Sequence, residues 1–325
     1  MSLHPGVPLD ALSSLEARLS RAAGDLDLHG RALGAYLGLA VGDALGATVE
    51  FMTPGEIRAR HGVHDRIIGG GWLRLRPGAI TDDTAMSLAL GRAILQVGAV
   101  EARAAAEAFS AWMRTRPPDI GNTVRRGILR YRRTGETETP FNEQDAGNGA
   151  CMRVLPAALA TLGRPPQAVA AACRRQARVT HHHPLSDAGT LCVARMVQQA
   201  LAGAGRRELI HGPVAELVRV HPAFRFRTRR EENPSPFIVH TLRAVFQAVF
   251  DSDGFEDCLV DVVNRGGDAD TTGAIAGMIA GALHGAGAIP ARWSDALDPG
   301  VRREIQWQTP RLLQLAGARE GMDRD

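Results

Sequence analysis

Lysine is missing from this chain altogether: all 38 basic residues among its 325 are arginine. That excludes a lysine Schiff base as a covalent intermediate. Aromatic residues make up only 5%. The four cysteines, Cys151, Cys173, Cys192 and Cys258, are scattered without CxxC spacing. Their pattern excludes a local zinc knuckle and fits a reducing compartment, so a cytoplasmic location is expected. Excess charge is also absent. The formal balance is +3 with signs intermixed, whereas a dedicated nucleic-acid binder concentrates basic residues on one face. The start, Met1-Ser-Leu-His-Pro-Gly, lacks the charged-then-apolar layout of a signal peptide. Residues 271–289 carry no charged side chain over nearly a bilayer's length. Their glycine and alanine content, and the acids at their entry, favour a buried helix over a membrane span.

What is present points to helices. Alanine is plentiful and few segments alternate with period two, so the expected class is all-α. We read a variable lead-in over 1–28, with one short helix around Leu9–Ala22, then a single domain over 29–325, because no linker-like stretch divides it. Helices are expected over 84–96, 101–114, 120–133, 154–162, 237–250 and 301–317. Residues 53–80 read as loop. Their Gly69-Gly-Gly-Trp run lacks the spacing of a phosphate-cradling P-loop. Residues 203–236 read as a long basic, solvated excursion holding Phe224 and Phe226. Two segments carry glycine every fourth residue: Gly34, Gly38, Gly42 and Gly46, then Gly273, Gly277, Gly281 and Gly285. Mid-helix glycine costs about 1 kcal/mol relative to alanine. Close approach of two helix backbones is a physical reason to accept that penalty, so these helices are expected deep in the core and near each other.

Acidic residues cluster at helix starts. Asn264-Arg-Gly-Gly-Asp-Ala-Asp-Thr-Thr-Gly273 sets Asp268 and Asp270 two apart, followed by Thr271 and Thr272, before an uncharged apolar segment. Thr81-Asp82-Asp83-Thr84 opens another apolar helix in the same way. A helix N-terminus favours ionised carboxylates, yet several buried together are costly without a cation among them. Two such starts far apart in sequence suggest one shared site. Carboxylates and hydroxyls with no thiolate or imidazole select Mg²⁺, Mn²⁺ or Ca²⁺ over Zn²⁺. Four carboxylates exceed the charge of one divalent ion, so a pair of ions is expected, orienting substrate hydroxyls or activating water for hydrolysis of a polar substrate.

Other residues leave alternatives open. Asp43 and Glu50 add acids near the end of the first glycine-striped helix, and spacing does not separate a structural acid from a ligand or acid/base. Asp145-Ala-Gly147-Asn148-Gly149 is a glycine-opened entry to a further helix, suited either to capping or to meeting a polar ligand. Among His181, His182 and His183, substrate contact or hydrogen bonding behind the ligands is favoured over ligation. Asp268-x-Asp270-x-Thr272 also matches the DxDxT signature of haloacid-dehalogenase-type phosphatases. That motif ends a strand and needs a lysine partner, and neither condition is met.

Five ordered motifs resemble the ADP-ribosylglycohydrolase family. They are Gly42-Asp-Ala-Leu-Gly-Ala-x-x-Glu50, Thr81-Asp-Asp-Thr-Ala-Met86, Gly147-Asn-Gly149 with Met152-Arg153, Thr180-His-x-His183 and Gly267-Asp-Ala-Asp-Thr271. The resemblance runs from about Gly30 to about Arg292. It implies an all-α fold around a binuclear centre of two divalent cations, Mn²⁺ or Mg²⁺, and cleavage of the N-glycosidic bond between ADP-ribose and arginine. Metal ligands implied are Thr81, Asp82, Asp83, Asp268, Asp270 and Thr271. Glu50 and Asp145 become the catalytic candidates, with Gly147, Asn148, Gly149 and His183 along the ADP-ribose cleft. The most similar bacterial branch implies ADP-ribosylated dinitrogenase reductase as substrate. It also implies control by a PII-type signal protein and reversible membrane association through a partner. Hydrolysis of a serine- or DNA-linked ADP-ribose, and a non-catalytic ADP-ribose binder, are the competing expectations.

Overall fold

The two glycine-striped segments form the axis of the molecule. The computed structural model describes residues 27–322, with side chains through residue 317; the expected helix over Leu9–Ala22 lies outside the described residues. Helix α1 (Leu28–Gly46) is capped by Asp27, whose side chain accepts from the Gly30 amide at 2.7 Å. Then follow α2 (Pro54–His61), α3 (Asp82–Val97), α4 (Ala102–Arg114) and α5 (Asn122–Thr134). The middle of the chain forms α6 (Leu155–Ala160), α7 (Pro166–Ala177), α8 (Pro184–Leu201), α9 (Arg206–Leu209) and α10 (Ala215–Val220). The last part forms α11 (Ile238–Asp251), α12 (Phe255–Val263), α13 (Ala269–His284), α14 (Ala291–Ser294) and α15 (Pro299–Met322). The described residues contain no strand, only the isolated bridges Gly70–Leu75 and Gly147–Phe237.

Helices α1 and α13 run antiparallel with their backbones in contact. A Cβ on Gly38 would lie 2.2 Å from the Gly277 carbonyl oxygen, one on Gly42 2.0 Å from that of Gly273, and one on Gly281 2.0 Å from that of Gly34. The stripe therefore works as expected: each missing methyl lets the other backbone in. Both helices are buried on all sides for most of their length. Helices α8, α11 and α12 pack on α13, and α15 packs on α1 and α3. Antiparallel pairing brings the C-terminal end of α1 to the N-terminal end of α13. That juxtaposition sets Asp43 and Glu50 beside Asp268, Asp270 and Thr271.

Two sequence expectations need correction. Residues 53–80 are not all loop, because Thr53 and Glu56 form a capping box that starts α2. The Thr53 amide donates to Glu56 Oε2 at 2.7 Å, and the Glu56 amide donates to Thr53 Oγ1 at 3.3 Å. The signal, Thr53-Pro-Gly-Glu56, is legible in the sequence. Nor is 203–236 a solvated excursion. It contains α9 and α10, and Phe224 and Phe226 are buried, Phe226 with its ring 5.6 Å from those of Phe246 and Phe250. Helices α7, α8 and α12 fall where none is expected from the sequence. No helix among the described residues is long and apolar enough to cross a membrane, α13 included.

Candidate metal centre and cleft

Three helix starts and one turn converge on a cavity of about 460 Å³, within the usual size range of small-ligand sites. At its floor, carboxylate oxygens of Glu50, Asp268 and Asp270 all lie within 4.8 Å of one another. Asp83 joins the two acid-bearing helix starts. Its Oδ2 accepts from Thr81 Oγ1 at 3.2 Å and from Thr271 Oγ1 at 3.3 Å. Its Oδ1 is buried with no hydrogen-bond partner. Asp82 faces the cavity beside Asp119. Asp82, Asp268, Asp270 and Thr271, almost two hundred residues apart in sequence, thus line one cavity, whereas Thr81 and Asp83 lie outside its lining.

Asp43 does different work. Its carboxylate accepts from the Thr81 amide at 2.9 Å and the Thr84 amide at 3.1 Å, and from the Thr84 hydroxyl. It caps the N-terminus of α3 from a neighbouring helix and so locks the 81–84 turn onto α1. Gly266 and Gly267 shape the other approach. Both adopt positive φ, and a Cβ on them would sit 2.1 Å from the Met52 oxygen and 2.2 Å from the Pro234 oxygen. Paired bonds, Phe51 N to Gly267 O at 2.7 Å and Gly267 N to Met52 O at 2.9 Å, tie the Glu50 turn to the Asp268 loop.

Electrostatics set these acids against one another. Burial pushes Glu50 up to about 8, against the opposing Trp72 hydrogen bond and with added repulsion from Asp268, Asp119 and Asp82. Asp268 rises to about 6 through burial, restrained by hydrogen bonds from Asn148, Asp270 and Thr271. Burial, then neighbouring carboxylates, lift Asp83 and Asp270 well above the ordinary range. Oxygen-only donors, an orphaned buried carboxylate oxygen and mutually repelling acids all fit a hard divalent cation.

The walls differ from the sequence expectation. Gly147, Asn148 and Gly149 line the cavity. Asn148 Nδ2 donates to Asp268 and, at 3.0 Å, to the Thr241 hydroxyl. His181 lines the cavity, whereas His183 lies outside its lining, caps α8 by accepting from the Leu185 amide at 3.1 Å, and stacks on Phe141. Asp145 is also outside the lining. It is buried and ion-paired with the half-exposed Arg126. Sequence reasoning passed over Asp119, which lines the cavity and interacts with Asp82. Its signal was available: Pro117-Pro118-Asp119 puts an acid just before α5, as with the other two helix starts. Residues Gly121 to Val124 bring the N-terminus of α5, which has no side-chain cap, to the same wall.

The family model described as ADP-ribosylglycohydrolase matches residues 25–321. The ADP-ribosyl-[dinitrogen reductase] glycohydrolase of Rhodospirillum rubrum is 52% identical over 89% of this chain and 98% of its own length. The ADP-ribosylarginine hydrolase Tri1 of Serratia proteamaculans is 32% identical over 82% of this chain and 75% of its own length. A solved structure described as an ADP-ribosylglycohydrolase-related protein complex superposes with a TM-score of 0.79 at 36% identity, covering 89% of this chain and 99% of that one. With its helical fold, its acid-lined cavity and a match over nearly its whole length, the chain belongs to the ADP-ribosylglycohydrolase family.

Proposed function

We propose that this protein is a metal-dependent glycohydrolase that cleaves the N-glycosidic bond between ADP-ribose and a protein arginine, with ADP-ribosylated dinitrogenase reductase as its protein substrate. The observation that carries the reading is the Glu50, Asp268 and Asp270 cluster on the floor of the cavity. The 52% identity to the Rhodospirillum rubrum enzyme supports the linkage and the protein substrate. Glu50, Asp83, Asp268 and Asp270, with the hydroxyls of Thr81 and Thr271, would hold two divalent cations, Mn²⁺ or Mg²⁺; Asp82 completes the set. Cations there supply Lewis acidity and grip vicinal sugar hydroxyls.

The chain's own residues account for the remaining needs of the reaction. Uncapped amides at the N-terminus of α5, with Arg126 beside them, suit the pyrophosphate. Asn148 fixes the Asp268 carboxylate, and Gly147 and Gly149 let the sugar approach the backbone. Arginine leaves poorly from an anomeric carbon unless its guanidine is protonated, so an acid must face the bond. Asp119 is the cavity-facing candidate. Burial raises its pKa, opposed by hydrogen bonds with the Ile120 backbone and with Asp82. Asp145, the other acid expected from the sequence, would act one step back by orienting Arg126. Surrounding carboxylates favour an oxocarbenium-like sugar. A PII-type signal protein as regulatory partner belongs to the same reading, and co-purification with PII tests that part.

The decisive experiment incubates the protein with arginine-ADP-ribosylated dinitrogenase reductase, with and without Mn²⁺, and follows released ADP-ribose. Mn²⁺-dependent release is expected. Tight binding of free ADP-ribose without release from any ADP-ribosylated protein would instead identify a binder.

A further inference from the structure

Two segments border the cavity: the turn after α1, which carries Glu50 and Phe51, and a hairpin that carries Trp72. Reciprocal backbone bonds between Gly70 and Leu75, at 2.8 and 2.9 Å, close the hairpin. Thr48 Oγ1 pins it to the turn by donating to the Gly69 carbonyl at 3.0 Å. The Phe51 and Trp72 rings meet with centroids 5.4 Å apart. They remain 58% and 52% exposed, so core filling does not explain the indole. What it does contact is the acid cluster: Trp72 Nε1 donates to Glu50 Oε2 at 2.5 Å. Glu50 sits on a turn next to Phe51, whose φ is +62°. Unlike Asp268 and Asp270, it has no helix start of its own to hold its side chain.

We propose that Trp72 is a positioning residue: its indole N–H occupies one oxygen of Glu50 and turns the other toward Asp268 and Asp270, where a divalent cation binds. This rests on the metal-dependent reading above. Partners that orient a ligand from behind change metal affinity by about 10- to 100-fold when removed, and Trp72 acts on Glu50 in that way. The aromatic ring can be kept while the donor is deleted, which makes the idea separable from packing.

The test measures Mn²⁺ affinity from the electron paramagnetic resonance signal of free Mn²⁺, with thermal stability in EDTA alongside. Trp72→Phe should bind Mn²⁺ about 10- to 100-fold more weakly with an unchanged melting temperature in EDTA. Trp72→His carries a ring nitrogen at the same position relative to Cβ and should restore affinity. Trp72→Phe combined with Glu50→Gln should bind no more weakly than Glu50→Gln alone, since the indole acts through that carboxylate. Unchanged affinity in Trp72→Phe, or losses that add in the double variant, would overturn the inference while leaving the metal reading intact. A Trp72→Phe chain that fails to fold would also overturn it, by showing that the ring serves the fold. Wild-type protein that binds no Mn²⁺ would refute the metal reading itself.

Discussion

Replacing Gly38 with alanine sets two effects against each other whose signs differ. Alanine is favoured over glycine in a helix interior by about 1 kcal/mol, and on an ordinary helix Gly38→Ala would stabilise. Here the new methyl would stand 2.2 Å from the Gly277 oxygen and 2.9 Å from its carbonyl carbon. A relaxed carbon–oxygen contact needs about 3.3 Å, so α1 and α13 must part by about 1 Å. Neither helix has a free face to retreat into, because both are buried almost throughout. A gap of that size forfeits roughly a quarter to a half of each contact along the seam, and overpacking of a tight core costs about 1–3 kcal/mol. Packing wins, and a net destabilisation of up to about 2 kcal/mol is expected once the propensity gain is subtracted. Urea unfolding in EDTA, followed by circular dichroism, reads this as a lower midpoint at constant slope. Gly42→Ala meets the same obstruction, 2.0 Å from the Gly273 oxygen, one turn nearer the acids. It should weaken Mn²⁺ binding as well. A Gly38→Ala chain as stable as wild type, or more stable, would refute the close-approach argument and reduce the glycine stripe to composition.

Asp270→Asn should have opposite effects with and without cation. It removes one of several buried, mutually repelling acids, so melting in EDTA at pH 8 should rise, while Mn²⁺ affinity should fall by about tenfold or more; loss of stability in EDTA would contradict the electrostatic picture. The pH dependence follows from the same groups. Glu50 is raised from 4.5 to about 8 and Asp268 from 3.8 to about 6, so the folded chain holds protons more tightly than the unfolded one. Their contribution is complete below the unfolded values and is lost as pH rises through about 6 and then about 8. Melting in EDTA should therefore decline between pH 5 and pH 8.5, and the increment from added Mn²⁺ should grow over that interval. A flat EDTA profile would count against it. Asp119→Asn should lower kcat by about 100-fold or more with ADP-ribose binding retained, whereas Asp145→Asn should mainly raise KM through the loosened Arg126; the reverse pattern would return the acid role to Asp145.

The parts of the fold that could be read from sequence are those whose cause is local. An acid followed by hydroxyls before an apolar run marks a helix start wherever it occurs, so Asp82, Asp83, Asp268 and Asp270 were recognisable. Spacing of four put each glycine stripe on one helical face. The antiparallel pairing of the stripes follows only once both are known to share the core. Other residues acquire their meaning from contacts between distant segments. His181 and His183 differ by two positions, yet one lines the cavity and the other caps α8, because the chain turns into the helix between them. Trp72 belongs to a run read as glycine-rich loop, and nothing within that run points to Glu50. Phe224 and Phe226 looked solvated because arginines flank them, but both rings are buried, Phe226 against Phe246 and Phe250 of α11 with the Arg227 guanidinium 5.3 Å from its centroid. Asp119 obeyed the helix-start rule and was still missed, since a single acid after two prolines resembles an ordinary loop.

The glycine seam and the acid cluster solve one problem between them. Carboxylates that repel each other will move apart if their supports have slack, and side chains meeting across a helix interface leave some. Backbones in direct contact leave very little. From Gly34 against Gly281 to Gly46 against Ala269, each level of the seam blocks sliding of α1 along α13. Asp43 then clamps α3 to the same end through the Thr81 and Thr84 amides. The seam and the clamp thereby fix the supports of the Glu50, Asp268 and Asp270 carboxylates, whose oxygens lie within 4.8 Å of one another. A divalent ion held among them would offset their repulsion, and affinity gained at the site would be stability gained by the whole chain. On this logic, loosening the seam should weaken cation binding in proportion to how near the change lies to Gly42 and Gly273, even though no glycine touches the ion.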